Sequence, residues 1–281
     1  MRHTCCFVLL MLCTLLATFL PRPLAPAASW AADPPPAKDA PKLPTSRTTV
    51  KLEGWTLRVD DRLFQAPNEE LRLRALKFLE NKLSDIKAVV PKDRVEKLQS
   101  VTIVLDLTHG KLGAMQYHPD AGWLKSNGFS PELVKCVHLP LAASVATRRN
   151  INEQPWVILH ELAHAYHDQV LSFDEARIKE AYENYKASGR GDKTLLYSGA
   201  RVKHYALTNH KEFFAEMTES YFGVNDFFPF NRAELKESEP EIHALLRDIW
   251  EAPKDADAKK PGAEKPPAKK APAEKPAAEK P

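Results

Sequence analysis

The chain has 281 residues, a formal net charge of +3 and a hydrophobic fraction of 43%. Such a length and composition suit one folded domain with a sizeable core. The positive excess comes from Arg2, Arg22 and a Lys-rich end after Trp250, so the segment between them is close to neutral. A nucleic-acid-binding domain would carry a basic patch, and we therefore expect no nucleic-acid partner.

The N-terminus has the composition of an export signal. Arg2 precedes an uncharged, mostly apolar run at residues 7–20, and small residues follow it, which predicts a secretory signal peptide over residues 1–31. The apolar run is too short for a membrane span, so the mature chain is expected to have no transmembrane span. Retention of the segment as an N-terminal anchor is the alternative. We expect a secreted or cell-envelope protein.

Proline marks the boundaries of the folded part. Of 23 prolines, eight lie between residues 21 and 44 and seven between residues 253 and 281. We predict a Pro/Ala-rich linker at residues 32–47, a folded domain at residues 48–252 and a disordered Lys/Ala/Pro-rich tail at residues 253–281. That tail composition cannot bury a core, so it is typical of a solvated spacer, with weak contact to an anionic cell envelope as the alternative.

Hydrophobic patterns divide the domain into an early part with strands and a late part with helices. Alternating apolar residues predict two strands at residues 48–60 that turn at Gly54, and apolar runs predict strands at residues 101–107 and 134–139. Residues 108–131 show a looser pattern. Helical periodicity predicts helices at residues 69–90, 153–170, 173–188, 210–222 and 239–250. We therefore expect an α+β fold with a small mixed sheet in the N-terminal half and a helical C-terminal half.

The predicted helix at residues 153–170 contains a His-Glu-x-x-His motif formed by His160, Glu161 and His164. Side chains four residues apart share one helix face, so the two imidazoles can hold one tetrahedral Zn²⁺. Glu161 points about 100° away, where it can act on a metal-bound water without occupying a ligand position. A pair of ordinary hydrogen-bonded helix histidines is the alternative.

A catalytic zinc also needs a third protein ligand and an open position. The scheme with a third histidine six residues after the second fails, because Val170 stands there. His167 lies one turn past His164 and does not easily converge on the same ion, so a surface or supporting role is expected for it. A scheme with a glutamate about twenty residues after the second histidine would use Glu180 or Glu183, and this option stays open.

A further candidate is Glu212, which shares one helical stripe with Glu216 and Glu219. Three acids in a row on an aromatic helix usually form its solvated face. Glu212 also occupies the capping-box position if Asn209 is the N-cap of that helix. Spacing alone therefore leaves the third ligand open.

The two motif blocks resemble the catalytic domain of anthrax lethal factor and its relatives. The likeness covers the His-Glu-x-x-His helix and the block Tyr-x-x-x-Asn-x-x-Glu-Phe-Phe-Ala-Glu at residues 205–216, within about residues 156–222. It implies a zincin-like metallopeptidase domain whose third ligand is a glutamate. Carried over by position, it implies zinc ligands His160, His164 and Glu212, a general base Glu161, a Tyr205 that faces the reacting carbonyl, and a Glu216 that supports a ligand imidazole.

These roles predict an exported zinc metalloendopeptidase that acts on peptide or protein substrates. A zinc-bound water activated by Glu161 would attack the peptide carbonyl, and Tyr205 would donate to the oxyanion. The predicted strand at residues 134–139 is our candidate edge for pairing with an extended substrate, with an ordinary core strand as the alternative. The alternative function is a non-catalytic zincin-like module that binds cell-surface material.

Overall fold

The computed structural model describes residues 43–251, which belong to one unit. The predicted signal peptide, most of the predicted linker and the predicted tail lie outside these residues. Among residues 43–251, no helix combines the length and the apolar character that crossing a bilayer requires.

A mixed five-stranded sheet occupies the first half of the described chain. Its strands are β1 (Arg47–Leu52), β2 (Trp55–Asp60), β3 (Ile103–Leu105), β4 (Gln116–Tyr117) and β5 (Val137–Leu139). They lie in the order β1-β2-β3-β5-β4. The pairs β1–β2 and β4–β5 are antiparallel, whereas β2–β3 and β3–β5 are parallel. β1 begins at Arg47, one residue before the predicted start of the domain.

The first hairpin forms where the sequence predicts it. Glu53 and Gly54 both have positive φ angles, 52° and 97°, which matches a two-residue hairpin turn. A Cβ atom at Gly54 would lie 2.2 Å from Nε2 of Gln99, so this position accepts only glycine without rearrangement. The turn is thereby fixed by its own backbone conformation and by its contact with the Gln99 side chain.

Eight helices follow or connect these strands in the described residues. They are α1 (Glu69–Val89), α2 (Lys92–Gln99), α3 (Ala121–Ser126), α4 (Val157–Tyr166), α5 (Ala176–Ala187), α6 (His210–Phe222), α7 (Arg232–Ser238) and α8 (Pro240–Trp250). A short antiparallel pair, β6 (Thr194–Leu195) and β7 (Arg201–Val202), stands between α5 and α6. The predicted α+β fold, with an early sheet and a helical second half, is confirmed.

Two predictions need correction. The strand predicted at residues 134–139 is not an edge strand, because β5 pairs with β3 on one side and with β4 on the other. The edge strand next to β5 is β4, which lies in the stretch of residues 108–131 that we expected to be loose. The helix predicted at residues 153–170 is interrupted, since α4 is flanked by π-helical segments at Arg149–Glu153 and His167–Leu171.

Packing of α4 against α6 and α8 fixes the region that carries the motif. All ten residues of α4 are buried. At its C-terminal end, the Tyr166 ring stacks on Trp250 with 4.4 Å between centroids, and Phe214 of α6 stacks on the same indole at 5.9 Å. Trp250 Nε1 also donates to Thr218 Oγ1 at 3.3 Å. One fully buried indole therefore holds α4 and α6 at a fixed separation.

Candidate metal centre

Three possible ligand atoms from side chains of α4 and α6 lie within 3.2 Å of one another. The Nε2 atoms of His160 and His164 are 3.2 Å apart. Glu212 Oε2 lies 3.1 Å from the first nitrogen and 3.2 Å from the second. Ligand atoms at 2.0–2.1 Å from a tetrahedral Zn²⁺ are about 3.3 Å from one another. The three atoms thus form a nearly equilateral triangle of the size that such an ion requires.

The backbone at the start of α6 explains how Glu212 reaches this point. Asn209 is the N-cap, and its Oδ1 accepts from the backbone N–H groups of Lys211 and Glu212 at 2.9 and 3.0 Å. The Glu212 carboxylate extends to the two imidazoles. Burial would raise the pKa of Glu212, but hydrogen bonding to His160 and His164 outweighs it and holds that pKa well below its usual value. The carboxylate is therefore charged at neutral pH.

The opposite nitrogen of His160 is held by a second carboxylate. His160 Nδ1 lies 2.7 Å from Glu219 Oε1, a hydrogen-bonding distance, and 3.6 Å from Glu216 Oε1. The carboxylate within hydrogen-bonding distance of His160 Nδ1 is thus that of Glu219, whereas the resemblance implied Glu216 for this role. Glu216 and Glu219 are both buried, so this stripe of α6 is not a solvated face.

Contact with Glu219 also has an electrostatic effect on His160. Burial opposes protonation of this imidazole, but the carboxylates of Glu212 and Glu219 raise its pKa well above the usual value. A histidine that donates from Nδ1 to a carboxylate presents Nε2 in the tautomer that a metal ion binds. His160, Glu216 and Glu219 also lie close enough to share a cation, but that arrangement would use the Nδ1 atom already engaged by Glu219.

Glu161 lies beside the triangle without belonging to it. Its Oε2 accepts a hydrogen bond from the backbone N–H of Tyr117 in β4 at 2.8 Å. Burial raises the pKa of Glu161, while the nearby charges of His160 and His164 oppose that rise. A carboxyl group in this setting is suited to accept and return a proton.

Tyr205 lies on a short 3₁₀ turn at Tyr205–Leu207 that leads into α6, close enough to Glu212, His160 and Glu161 to interact with their charges. Its side chain is 48% exposed. Partial desolvation, together with the Glu212 carboxylate, raises the pKa of Tyr205. The phenol therefore keeps its proton at neutral pH and can donate it in a hydrogen bond.

The other candidates for the third ligand lie elsewhere. Glu183 is on the exposed side of α5, with Lys186 3.7 Å away. Glu180 lines a surface cleft between α5 and α8. His167 is not a surface residue, because it is fully buried with its ring about 5 Å from those of Phe173 and Phe214. Burial lowers the pKa of His167 to about 3, so it is neutral.

Sequence patterns did not indicate a second buried group, formed by Asp106, His109 and His138. Asp106 Oδ2 lies 2.7 Å from His109 Nδ1 and 2.8 Å from His138 Nε2. The Arg47 guanidinium binds the same carboxylate through Nε at 2.7 Å and Nη2 at 2.9 Å. The protein's own cation thus neutralises Asp106, and the short contacts are those of hydrogen bonds.

The residues of the first group fit a zinc ion. Two imidazole nitrogens and one carboxylate oxygen are a donor set that catalytic zinc uses, and three protein ligands leave one position open. The separations of 3.1–3.2 Å and the support of His160 by Glu219 agree with that fit. Comparison of this chain with models of protein families, with curated proteins and with solved structures finds no match. The residues themselves therefore carry the functional argument.

Proposed function

We propose that this chain is an exported zinc metalloendopeptidase with His160, His164 and Glu212 as zinc ligands and Glu161 as general base. The observation that carries the proposal is the triangle of Nε2, Nε2 and Oε2 atoms with a buried, non-ligating carboxylate beside it. The resemblance of the two motif blocks to lethal factor-like catalytic domains supports it. Export rests on the signal-like N-terminal composition.

Each residue has a defined task in peptide hydrolysis. When bound, Zn²⁺ supplies a Lewis acid that activates water and polarises the scissile carbonyl. Glu161 takes the proton of the attacking water and passes it to the leaving amine. Tyr205, whose raised pKa keeps it protonated, donates a hydrogen bond to the oxygen on which negative charge develops. Glu219 keeps His160 in one orientation.

The position of β4 supports a peptide as the substrate class. β4 is the outermost strand of the sheet on the side of the site, and its Tyr117 N–H contacts Glu161 directly. An extended peptide that lies along a sheet edge gains main-chain hydrogen bonds. Such a peptide lying beside β4 would pass next to Glu161, with a peptide carbonyl within reach of the triangle.

The test is single-turnover cleavage of a broad peptide library by the zinc-loaded chain. Glu161→Gln keeps the size of the side chain and removes the base, so cleavage should fall by about 10²- to 10⁴-fold with zinc content unchanged. Tyr205→Phe removes only the phenolic donor, so turnover should fall by about 10²-fold while substrate affinity survives.

Matched controls separate these effects from general damage. Glu183→Gln changes an exposed glutamate of α5, and Tyr197→Phe changes a tyrosine that is 44% exposed, close to the exposure of Tyr205. Both should cleave like the wild type. A zinc-loaded wild type that cleaves no peptide would contradict the proposal and favour the non-catalytic binding module.

A further inference from the structure

A chain of buried side chains crosses the sheet behind the metal centre and ends next to β4. It runs from Arg47 to Asp106, then to His138 and finally to His118; we refer to these four residues as the cross-sheet network. Asp106 Oδ2 is 2.8 Å from His138 Nε2, and His138 Nδ1 is 3.2 Å from His118 Nε2. All four side chains are at most 8% exposed.

Hydrogen-bond chemistry fixes the direction of this network. The carboxylate of Asp106 can only accept, so His138 donates from Nε2. Burial, which outweighs the effect of Asp106, lowers the pKa of His138, and burial lowers that of His118 to about 4, so both rings are neutral at pH 7. The Nδ1 atom of neutral His138 is then an acceptor, and His118 Nε2–H must be the donor.

The network joins four strands of the sheet. Arg47 opens β1, Asp106 follows β3, His138 lies within β5, and His118 follows β4. A strand of two residues makes few ladder hydrogen bonds, so β4 needs other anchors. On one side, the Tyr117 hydroxyl binds Asp168 Oδ2 at 2.6 Å. On the other side, the buried His118 ring adds a side-chain anchor to the two backbone hydrogen bonds that His118 makes with Lys135 and Cys136.

We infer that His118 is a positioning residue for Glu161. His118 is connected to Glu161 through the backbone. It directly follows Tyr117, whose N–H donates to Glu161 Oε2 at 2.8 Å. Holding His118 in the cross-sheet network holds that N–H in place and orients the carboxylate. The importance of this orientation for catalysis rests on the proposed function, whereas the contact between β4 and Glu161 does not.

Cation binding by Asp106, His109 and His138 is the competing interpretation of the same residues. A divalent ion there would lie beside the Arg47 guanidinium, which already binds both oxygens of Asp106. Repulsion between the two cations opposes occupancy, because within residues 43–251 no second carboxylate belongs to this group. We therefore assign a positioning role to Asp106 and His138, and zinc stoichiometry tests the assignment.

The experiment compares four variants of the zinc-loaded full chain. His118→Phe keeps the ring and removes the donor, whereas His118→Gln places an amide N–H near the position of Nε2. His109→Phe is the matched control, since His109 is similarly buried and hydrogen-bonded to Asp106 but is not adjacent in sequence to β4 and is not part of the cross-sheet network. The readouts are hydrogen exchange of the Tyr117 amide, zinc content, kcat and KM.

In His118→Phe, we expect the Tyr117 amide to exchange about 10-fold faster or more, and kcat to fall about 10-fold or more with KM and zinc content unchanged. His118→Gln should bring the Tyr117 exchange rate and kcat most of the way back to the wild-type values, and His109→Phe should change neither quantity. If the Phe variant does not fold, His118→Asn replaces it. The Asn amide is too short to reach His138, so the comparison of Asn with Gln tests the same hydrogen bond.

Three outcomes would overturn the inference. They are unchanged Tyr117 exchange in His118→Phe and His118→Asn, an equal effect of His109→Phe, and a second zinc ion per chain that His109→Phe removes. The exchange readout does not require turnover. If the wild type cleaves no peptide but the exchange pattern holds, the proposed function fails while the positioning of Glu161 by His118 stands.

Discussion

Two buried groups in this molecule have the same composition, two histidines and a carboxylate, but different geometry. In the group on α4 and α6, the three ligand atoms are 3.1–3.2 Å apart and no arginine contacts Glu212 among the ion pairs of the described residues. In the group formed by Asp106, His109 and His138, two contacts to Asp106 are 2.7 and 2.8 Å long and Arg47 supplies the positive charge. The Glu212 carboxylate of the first group can therefore bind a metal ion, whereas the Asp106 carboxylate of the second group is neutralised by Arg47.

The comparison teaches that residue type does not by itself define a metal site. A carboxylate between two imidazoles attracts a cation only while its charge is uncompensated. Where the protein provides its own guanidinium, the same side chains become a hydrogen-bonded support for the sheet. Asp106 illustrates this, because hydrogen bonds from Arg47, His109 and His138 overcome the effect of burial and hold its pKa far below the usual value.

The largest expected effect that tests this contrast is loss of the metal. We expect one Zn²⁺ per wild-type chain, none in the His160→Ala/His164→Ala double variant, and one in the His109→Ala/His138→Ala double variant. The measurement is metal analysis after reconstitution and dialysis. Two ions in the wild type, or loss of the ion only on changing the second pair, would reverse the assignment of the two groups.

Replacing Asp106, the carboxylate of the second group, should lower the stability of the fold and leave zinc binding unchanged. Asp106→Asn replaces a carboxylate that accepts hydrogen bonds from Arg47, His109 and His138 by an amide. Among the ion pairs of the described residues, the buried Arg47 then keeps its contact to the half-exposed Glu132. We expect the free energy of unfolding to fall by about 3–5 kcal/mol, with zinc content unchanged.

Chemical denaturation of the two zinc-loaded proteins measures this difference. Asp248→Asn is the control, because its pair with Arg247 is more than half exposed and should contribute less than about 1 kcal/mol. An Asp106→Asn variant as stable as the wild type would show that the cross-sheet network is not a significant support.

Periodicity predicted the long elements of this fold well. The bounds of α6 agree with the prediction, and those of α1 differ by one residue, because each helix has enough apolar positions to define a face. The short elements α2, α3, α7 and β4 were missed. Six to eight residues, or two in β4, carry too little pattern, and their structure depends on tertiary contacts.

The site shows the same division between local and tertiary information. Helical spacing indicated His160, Glu161 and His164, and the resemblance of the block at residues 205–216 indicated Glu212; the structure brings His160, His164 and Glu212 together. The contact of Tyr117 with Glu161 uses a backbone N–H, which leaves no signature in side-chain types. The choice between Glu216 and Glu219 depends on how α6 is rotated against α4, and both acids lie on the stripe that the sequence revealed.

The smallest expected effect comes from comparing Glu219 with Glu216 as the partner of His160. Glu219→Gln removes the charge that His160 Nδ1–H contacts at 2.7 Å, so zinc affinity should fall by about 10- to 100-fold. Glu216→Gln is the matched variant on the same helix. Burial and the neighbouring Glu219 charge raise the pKa of Glu216 well above its usual value, so replacing its carboxyl group by an amide should change the charge near His160 less than the same change at Glu219.

Competition with a fluorescent zinc chelator at pH 7 measures both affinities. We expect Glu216→Gln to bind zinc within about threefold of the wild type, because its carboxyl oxygen is 3.6 Å from the imidazole and makes no hydrogen bond to it. A larger loss for Glu216→Gln than for Glu219→Gln would restore the role that the sequence resemblance implied for Glu216. It would also mean that zinc binding rotates His160 away from Glu219.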